Sequence, residues 1–282
     1  MARFVSFERD GRARPGFVRG DRVFEIACES LRDYIALDPP ARERSIGEAS
    51  MPLDSLHLAP PVVPSKNVFC VGRNYLEHAK EGARAAGREL NLPSVPTFFS
   101  KSPTSVAAPG QTLRFGKNVA AELDWEAELA IVIGARVKNC SENDALDAVF
   151  GFTCCNDITA RDLQRAHGQW LKGKSLDDAC PLGPWIVAAE DVGDPQMLDI
   201  SLYLNGERKQ YSNTAHMIFS IPRIIAELSK GMTLEPGDVI ATGTPDGVGF
   251  ARTPPEFFRD GDEVEVRIDK VGSLRNRIQI ED

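Results

Sequence analysis

The chain has 282 residues, 42% hydrophobic and 26% charged, an ordinary globular composition with enough length for one large domain or a large one with a small one. Its net charge of −8 and the lack of a polybasic run exclude a broad nucleic-acid surface, so an anionic ligand has to be drawn by a local cluster of Lys and Arg. The longest apolar runs, "VFCVG" and "LAIVIG", are too short to cross a bilayer, and "MARFVSFERDG" lacks the apolar stretch of a signal peptide; a soluble, cytoplasmic protein without a membrane partner is expected.

Residues 1–27 read as short strands separated by the turns "RDGRARPG" and "GD", and a helical patch follows at "SLRDYIAL". Residues 38–52 lose periodicity and gain Pro, Gly and charge, which predicts a linker. The expected division is a small N-terminal β domain with its linker over residues 1–60, and a larger domain over 61–282 that carries the chemistry. In "SENDALDAVFG", Ser141 stands three residues before Asp144 and Gly151 closes the segment, so a capped helix is predicted. "DISLYLNGERKQYS" alternates into Asn205-Gly206, a tight hairpin signal, and "SIPRIIAELSKGMTL" has Pro222 near a helix start and Gly231 past its end. Six cysteines without a C-x-x-C pair are expected to be reduced thiols. The fold class that follows is mixed α/β, rich in β structure and predominantly antiparallel.

Three segments carry candidate chemistry. In "VGRNYLEHAKEG", His78 and Glu81 stand one turn apart on a predicted helix, where a carboxylate can orient an imidazole as a general base; a chance surface pair is the alternative. In "LDWEAELAIVIG", Asp124, Glu126 and Glu128 alternate along a predicted strand and so share a face. Two carboxylates about 6 Å apart repel by roughly 3 kcal/mol at an effective dielectric of about 20, a cost that a bound cation, paired Lys or Arg, or exposure to water can offset. In "CCNDITARDLQ", a helix starting after Asn156 would align Asp157, Arg161 and Gln164, or merely form a surface ion pair.

Seven ordered blocks, "FCVGRNYLEHAKE", "PTFFSKSPTSV", "LDWEAELAIVIG", "GFTCCNDITARDLQ", "LKGKSLDDACPLGPW", "NTAHMIFSIPRIIAELS" and "LEPGDVIATGTPDGVG", resemble the fumarylacetoacetate hydrolase family from about residue 64 to the end. The resemblance implies a β-roll catalytic domain and a Mg2+ or Mn2+ ion held by Glu126, Glu128 and Asp157, a hard-cation donor set. Asp124 is then no ligand; it is expected beside the site or facing solvent. His78 and Glu81 correspond to a catalytic pair on a lid, Lys174 to a catalytic lysine, and Lys101, Arg161, Gln164 and Thr244 to substrate-binding positions. Arg73 is left unassigned. His216 departs from the family, whose members commonly carry Asp there.

The implied activity is metal-dependent C–C bond hydrolysis of an acylpyruvate such as fumarylpyruvate or maleylpyruvate, in aromatic-compound catabolism. His78 would activate the water, and Lys174 with Gln164 would stabilise the oxyanion. The alternatives are isomerisation of 2-hydroxyhepta-2,4-diene-1,7-dioate or decarboxylation of oxaloacetate by the same metal and enolate, and a non-catalytic binding module. The implied partners are a small anionic keto acid and a second copy of the chain in a homodimer.

Overall fold

The computed structural model describes residues 1–282. Its larger sheet runs, in spatial order, through Ile46–Pro52, Arg22–Ile26, Arg12–Arg19, Arg3–Arg9, Cys180–Ala188, Val149–Asn156, Ala127–Ile133, Val239–Ala241, Val68–Gly72 and Thr97–Lys101. A second, five-stranded sheet runs through Glu207–Asn213, Asp199–Leu204, Glu263–Ile268, Gly272–Glu281 and Thr112–Gly116. Most neighbours are antiparallel; Val68–Gly72 beside Val239–Ala241 and Thr112–Gly116 beside Gly272–Glu281 are parallel. The mixed, β-rich class expected from the sequence is what the chain adopts, and no helix is long and apolar enough to cross a membrane.

The Ala127–Ile133 strand is buried on both faces, as its unbroken apolar run implies. Leu129, Ile131 and Ile133 pack with Ile200, Leu202, Val264 and Val266 of the second sheet, while Ala130 and Val132 pack with Phe150, Cys155, Leu182 and Val239. The Asn205-Gly206 turn closes the predicted hairpin, both residues having positive φ (51° and 81°). The helix Ile221–Ser229 begins where Ser220 accepts from the Arg223 amide and ends before Gly231 at φ 72°.

Four local expectations are corrected. Residues 38–52 are no linker: Asp38 caps the helix Pro39–Ser45, and Ile46–Pro52 pairs with Arg22–Ile26 at the sheet edge. The N-terminal strands continue the larger sheet, because Arg3 and Phe4 pair with Val187 and Ile186. In 141–151 the Ser141–Asp144 cap forms, yet only one short 3-10 turn, Ala145–Ala148, follows before the chain becomes strand Val149–Asn156. Pairing on both sides of Val149–Asn156 wins over local helix propensity. Gly151 belongs to that contact, since a Cβ there would lie 2.1 Å from the Val187 carbonyl oxygen. Finally, 123–134 is not one strand. Leu123–Asp124 pairs with Thr159–Ala160, the strand pairing is interrupted at Trp125-Glu126, and Ala127 then pairs with Asn156.

Candidate metal centre

The break in that strand builds the site. Register Ala127↔Asn156 sets Glu126 and Glu128 beside the first residue after the neighbouring strand, Asp157, whose amide donates to the Glu126 carbonyl at 2.9 Å. Asn156 Oδ1 accepts the Glu126 amide at 3.0 Å and pins the same corner. One carboxylate oxygen from each of Glu126, Glu128 and Asp157 lies within 4.8 Å of the others, and the residues are only 5%, 1% and 0% exposed.

Three cations converge on them. Lys174 Nζ donates at 2.6 Å to both Glu126 Oε2 and Asp157 Oδ2. Lys101 Nζ donates to Asp157 Oδ1 at 2.7 Å and to the Ile158 carbonyl at 3.0 Å. Arg161 donates from Nε to Asp124 Oδ2 at 2.8 Å, from Nη2 to Glu126 Oε1 at 2.6 Å and from Nη1 to Gln164 Oε1 at 3.2 Å. Asp124 is therefore buried rather than solvent-facing, and it also accepts the Trp125, Gly249 and Phe250 amides. Asp124, Glu126 and Glu128 lie on one side, since Arg161 bridges Asp124 and Glu126 while Trp125, Ala127 and Leu129 pack on the other, but they are not equivalent: Asp124 is held by Arg161 and loop amides, outside the group of close carboxylate oxygens. The predicted single helix is corrected too: Asp157 precedes the helix Arg161–Ala166, and only Arg161 and Gln164 meet on it.

The charges do not balance. Asp124, Glu126, Glu128 and Asp157 face Lys101, Lys174 and Arg161, one negative charge in excess, and Glu128 has no ion-pair partner. Its one hydrogen-bond donor is the Gly243 amide at 2.7 Å. Burial, then Asp157 and Glu126, push the Glu128 carboxyl well above its ordinary value. Burial pushes Glu126 the same way, but Lys174 and Arg161 outweigh it and hold that carboxyl low. Lys174 is disfavoured by burial yet held charged by Asp157 and Glu126. The residues therefore fit a divalent cation: this is an all-oxygen donor set whose fully ionised form exceeds its cations by one buried negative charge. Tyr75 Oη, buried with no partner in the chain, has its ionisation opposed first by burial and then by Glu128.

His78 lies on the helix Leu76–Ala85, with Nδ1 2.9 Å from Glu81 Oε1. A carboxylate partner makes Nδ1 the protonated nitrogen and leaves the Nε2 lone pair free. Glu81 also accepts the Gly247 amide, at 3.0 Å to Oε2 and 3.2 Å to Oε1. The "TGTPDGVG" loop thus serves as a hub, its amides reaching Glu128, Glu81 and Asp124 from Gly243, Gly247 and Gly249. Thr244 sits in it, buried. Aromatic rings wall the cations: Phe250 lies 4.4 Å from the Arg161 guanidinium, Phe99 5.0 Å from Lys174 Nζ, and Trp170 packs on Phe99 at 5.2 Å. The loop, Tyr75 and Phe99 lie within the blocks that carry the resemblance, but their contacts are not legible in the sequence, and Trp170 and Phe250 lie outside those blocks.

His216 is exposed, 3.2 Å from Ser212 Oγ, and takes no part in the cluster. Its loop nevertheless packs at the start of the segment that carries His78, where Asn74 accepts the Ile218 and Phe219 amides. Arg73 is exposed at φ 57°.

The profile of the family described as "Fumarylacetoacetate (FAA) hydrolase C-terminal" matches residues 67–279. Among curated relatives, the oxaloacetate tautomerase YisK of Bacillus subtilis (strain 168) is 49% identical over 220 residues, 78% of this chain and 72% of that one. Among solved structures, a fumarylacetoacetate hydrolase from Exiguobacterium antarcticum superposes with a TM-score of 0.86 at 36% identity, covering 100% of both chains. A 2-hydroxyhepta-2,4-diene-1,7-dioate isomerase from Mycobacterium marinum gives 0.82 at 32% identity, covering 100% of this chain and 99% of that one.

Proposed function

Because the chain belongs to the fumarylacetoacetate hydrolase family, we propose that it is a divalent-metal-dependent tautomerase interconverting the enol and keto forms of a 2-keto acid of the oxaloacetate class. What carries the choice of reaction is the likeness to the Bacillus subtilis oxaloacetate tautomerase across the segments that hold the carboxylates and His78. Glu126, Glu128 and Asp157 hold the ion, Mg2+ or Mn2+, which when bound supplies Lewis acidity that lowers the cost of negative charge on the substrate's 2-oxygen.

The chain's own groups handle the proton. His78 Nε2 takes it from C3 of the keto form and delivers it to the 2-oxygen; the reverse transfer regenerates the ketone, so no other reactant is consumed. Glu81 stabilises the intervening imidazolium through Nδ1–H. Lys174, with two of its three protons on carboxylates, directs the third toward the substrate's oxygens and favours their negative charge. Gln164 Oε1 is taken by Arg161, which leaves its amide protons for a substrate carboxylate. Arg161 retains unpaired guanidinium protons for the same purpose. Lys101, fully buried on Asp157, orients that ligand rather than meeting substrate.

Hydrolysis of an acylpyruvate is the second reading, favoured by the likeness to the Exiguobacterium antarcticum hydrolase and by a free His78 Nε2 able to activate water. The test is the enol absorbance of freshly dissolved oxaloacetate beside pyruvate release from acylpyruvates, each with Mg2+ or Mn2+. Accelerated enol decay without acylpyruvate cleavage supports the tautomerase; cleavage without enol conversion sinks it. The chain is further proposed to act as a homodimer, and a monomer mass by light scattering overturns that.

A further inference from the structure

We propose that Gln210 is a positioning residue of the site, which ties Thr244 to the strand carrying Glu126 and Glu128 and fixes the direction in which the Thr244 hydroxyl donates. The assignment rests on the metal-dependent site proposed above. Gln210 belongs to the Glu207–Asn213 strand, in the other sheet, and its side chain crosses to the site almost wholly buried.

A buried primary amide must place both its acceptor and its donors. Gln210 Oε1 accepts the amide of Ala127, the residue between Glu126 and Glu128, at 2.9 Å. Its Nε2 donates to Thr244 Oγ1 at 2.9 Å and to the Pro245 carbonyl at 2.8 Å. The amide's orientation follows from these partners, since the Ala127 N–H can only donate and the Pro245 carbonyl can only accept. Thr244 Oγ1 must therefore receive a hydrogen bond from Gln210, and its own proton meets no acceptor in the chain. Thr244 follows Gly243, whose amide holds Glu128, so that proton is offered beside the carboxylate cluster to an acceptor oxygen on the bound keto acid.

The contact is rigid. The strand backbone lies so close that a Cβ on Gly247 would stand 2.2 Å from the Lys209 carbonyl oxygen and 3.3 Å from Gln210 Cα. Gln210 thus acts through Thr244, and without it the hydroxyl is free to turn its proton onto the Pro245 carbonyl or elsewhere.

The test is a double-mutant cycle on the affinity for oxalate, a planar dicarboxylate shaped like the head of an enolised 2-keto acid, measured by calorimetry in saturating Mn2+. Gln210→Met and Thr244→Val should each weaken oxalate by about five- to tenfold, the effect of one neutral hydrogen bond. The double variant should bind within about twofold of the weaker single one. Effects that multiply, or a fall in Mn2+ affinity by Gln210→Met as large as the fall for oxalate, overturn the proposal. Should Gln210→Met fail to fold, Gln210→Asn, whose amide is one carbon too short to hold the Ala127 amide and the Thr244 hydroxyl together, takes its place in the same cycle: weaker oxalate binding that falls no further in the Thr244→Val background sustains the proposal, and unchanged affinity overturns it. Wild-type protein that binds oxalate but converts no enol refutes the tautomerase reading alone, whereas wild-type protein that binds no oxalate overturns both.

Discussion

Replacing Glu128 by Gln should stabilise the metal-free protein while abolishing its metal affinity, a pair of opposite effects that few other substitutions produce. Glu128 makes no ion pair, and its ligand oxygen stands within 4.8 Å of those of Glu126 and Asp157. At an effective dielectric of about 20, each of those two contacts costs about 3 kcal/mol. Attraction to Lys174 and residual ionisation equilibria cancel much of this, which leaves a net gain of about 2 kcal/mol for the neutral amide. The Gln oxygen still accepts the Gly243 amide, and its NH2 finds the adjacent carboxylates as acceptors. For a chain of this length the gain is a rise of a few degrees in Tm, about 2–4 °C per kcal/mol. Thermal melts in EDTA and Mn2+ titration calorimetry read the two effects. The sign with pH is also fixed: a carboxyl whose folded pKa is raised contributes stability below its unfolded pKa of about 4.3 and loses it as pH rises toward the folded value. Relative to the variant, metal-free wild type should therefore lose stability on going upward from about pH 4.3. A variant that melts lower in EDTA, or keeps its Mn2+ affinity, refutes this account of the charge excess.

His78→Ala should lower kcat by about 10²- to 10⁴-fold, with Mn2+ affinity unchanged by calorimetry; a matching loss of metal affinity contradicts its role as a proton carrier. Lys174→Met leaves Glu126 and Asp157 without the ammonium they share, and metal-free protein should lose about 3–5 kcal/mol, most of it recovered in melts with Mn2+. Gly247→Ala forces a Cβ onto the Lys209 carbonyl at φ 98°, so both stability and kcat should fall as Glu81 loses its amide donor; unchanged kinetics would contradict the hub role of the loop.

Features set by local chemistry were legible. Asn205-Gly206, Ser220 with Pro222 and Gly231, and the His78–Glu81 turn rest on residues a few positions apart, and the structure follows each. The Glu126, Glu128 and Asp157 group was legible through family resemblance, while alternation alone wrongly enrolled Asp124. Alternation gives the side a residue faces and not its partners: Arg161 and the Gly249 and Phe250 amides, all from distant segments, take up Asp124 and keep it out of the ligand group. Tertiary pairing likewise cut the expected helix at 141–151 to one 3-10 turn before the strand from Val149, and ordered residues 38–52 against the sheet edge. Gln210 escaped for a simpler reason: its partners Ala127 and Thr244 lie 83 and 34 residues away, and no periodicity spans that separation.

The central claim is that the buried carboxylates hold the ion on which enol–keto conversion depends. Its most direct test is the rate of enol oxaloacetate decay with protein stripped by EDTA, freed of chelator and titrated with Mn2+ while bound metal is counted. The rate should stand at background in the stripped protein and rise in proportion to bound metal, levelling at one ion per chain, with Glu126→Ala flat throughout. Full conversion by stripped protein, or a Glu126→Ala protein that follows the wild-type curve, contradicts it.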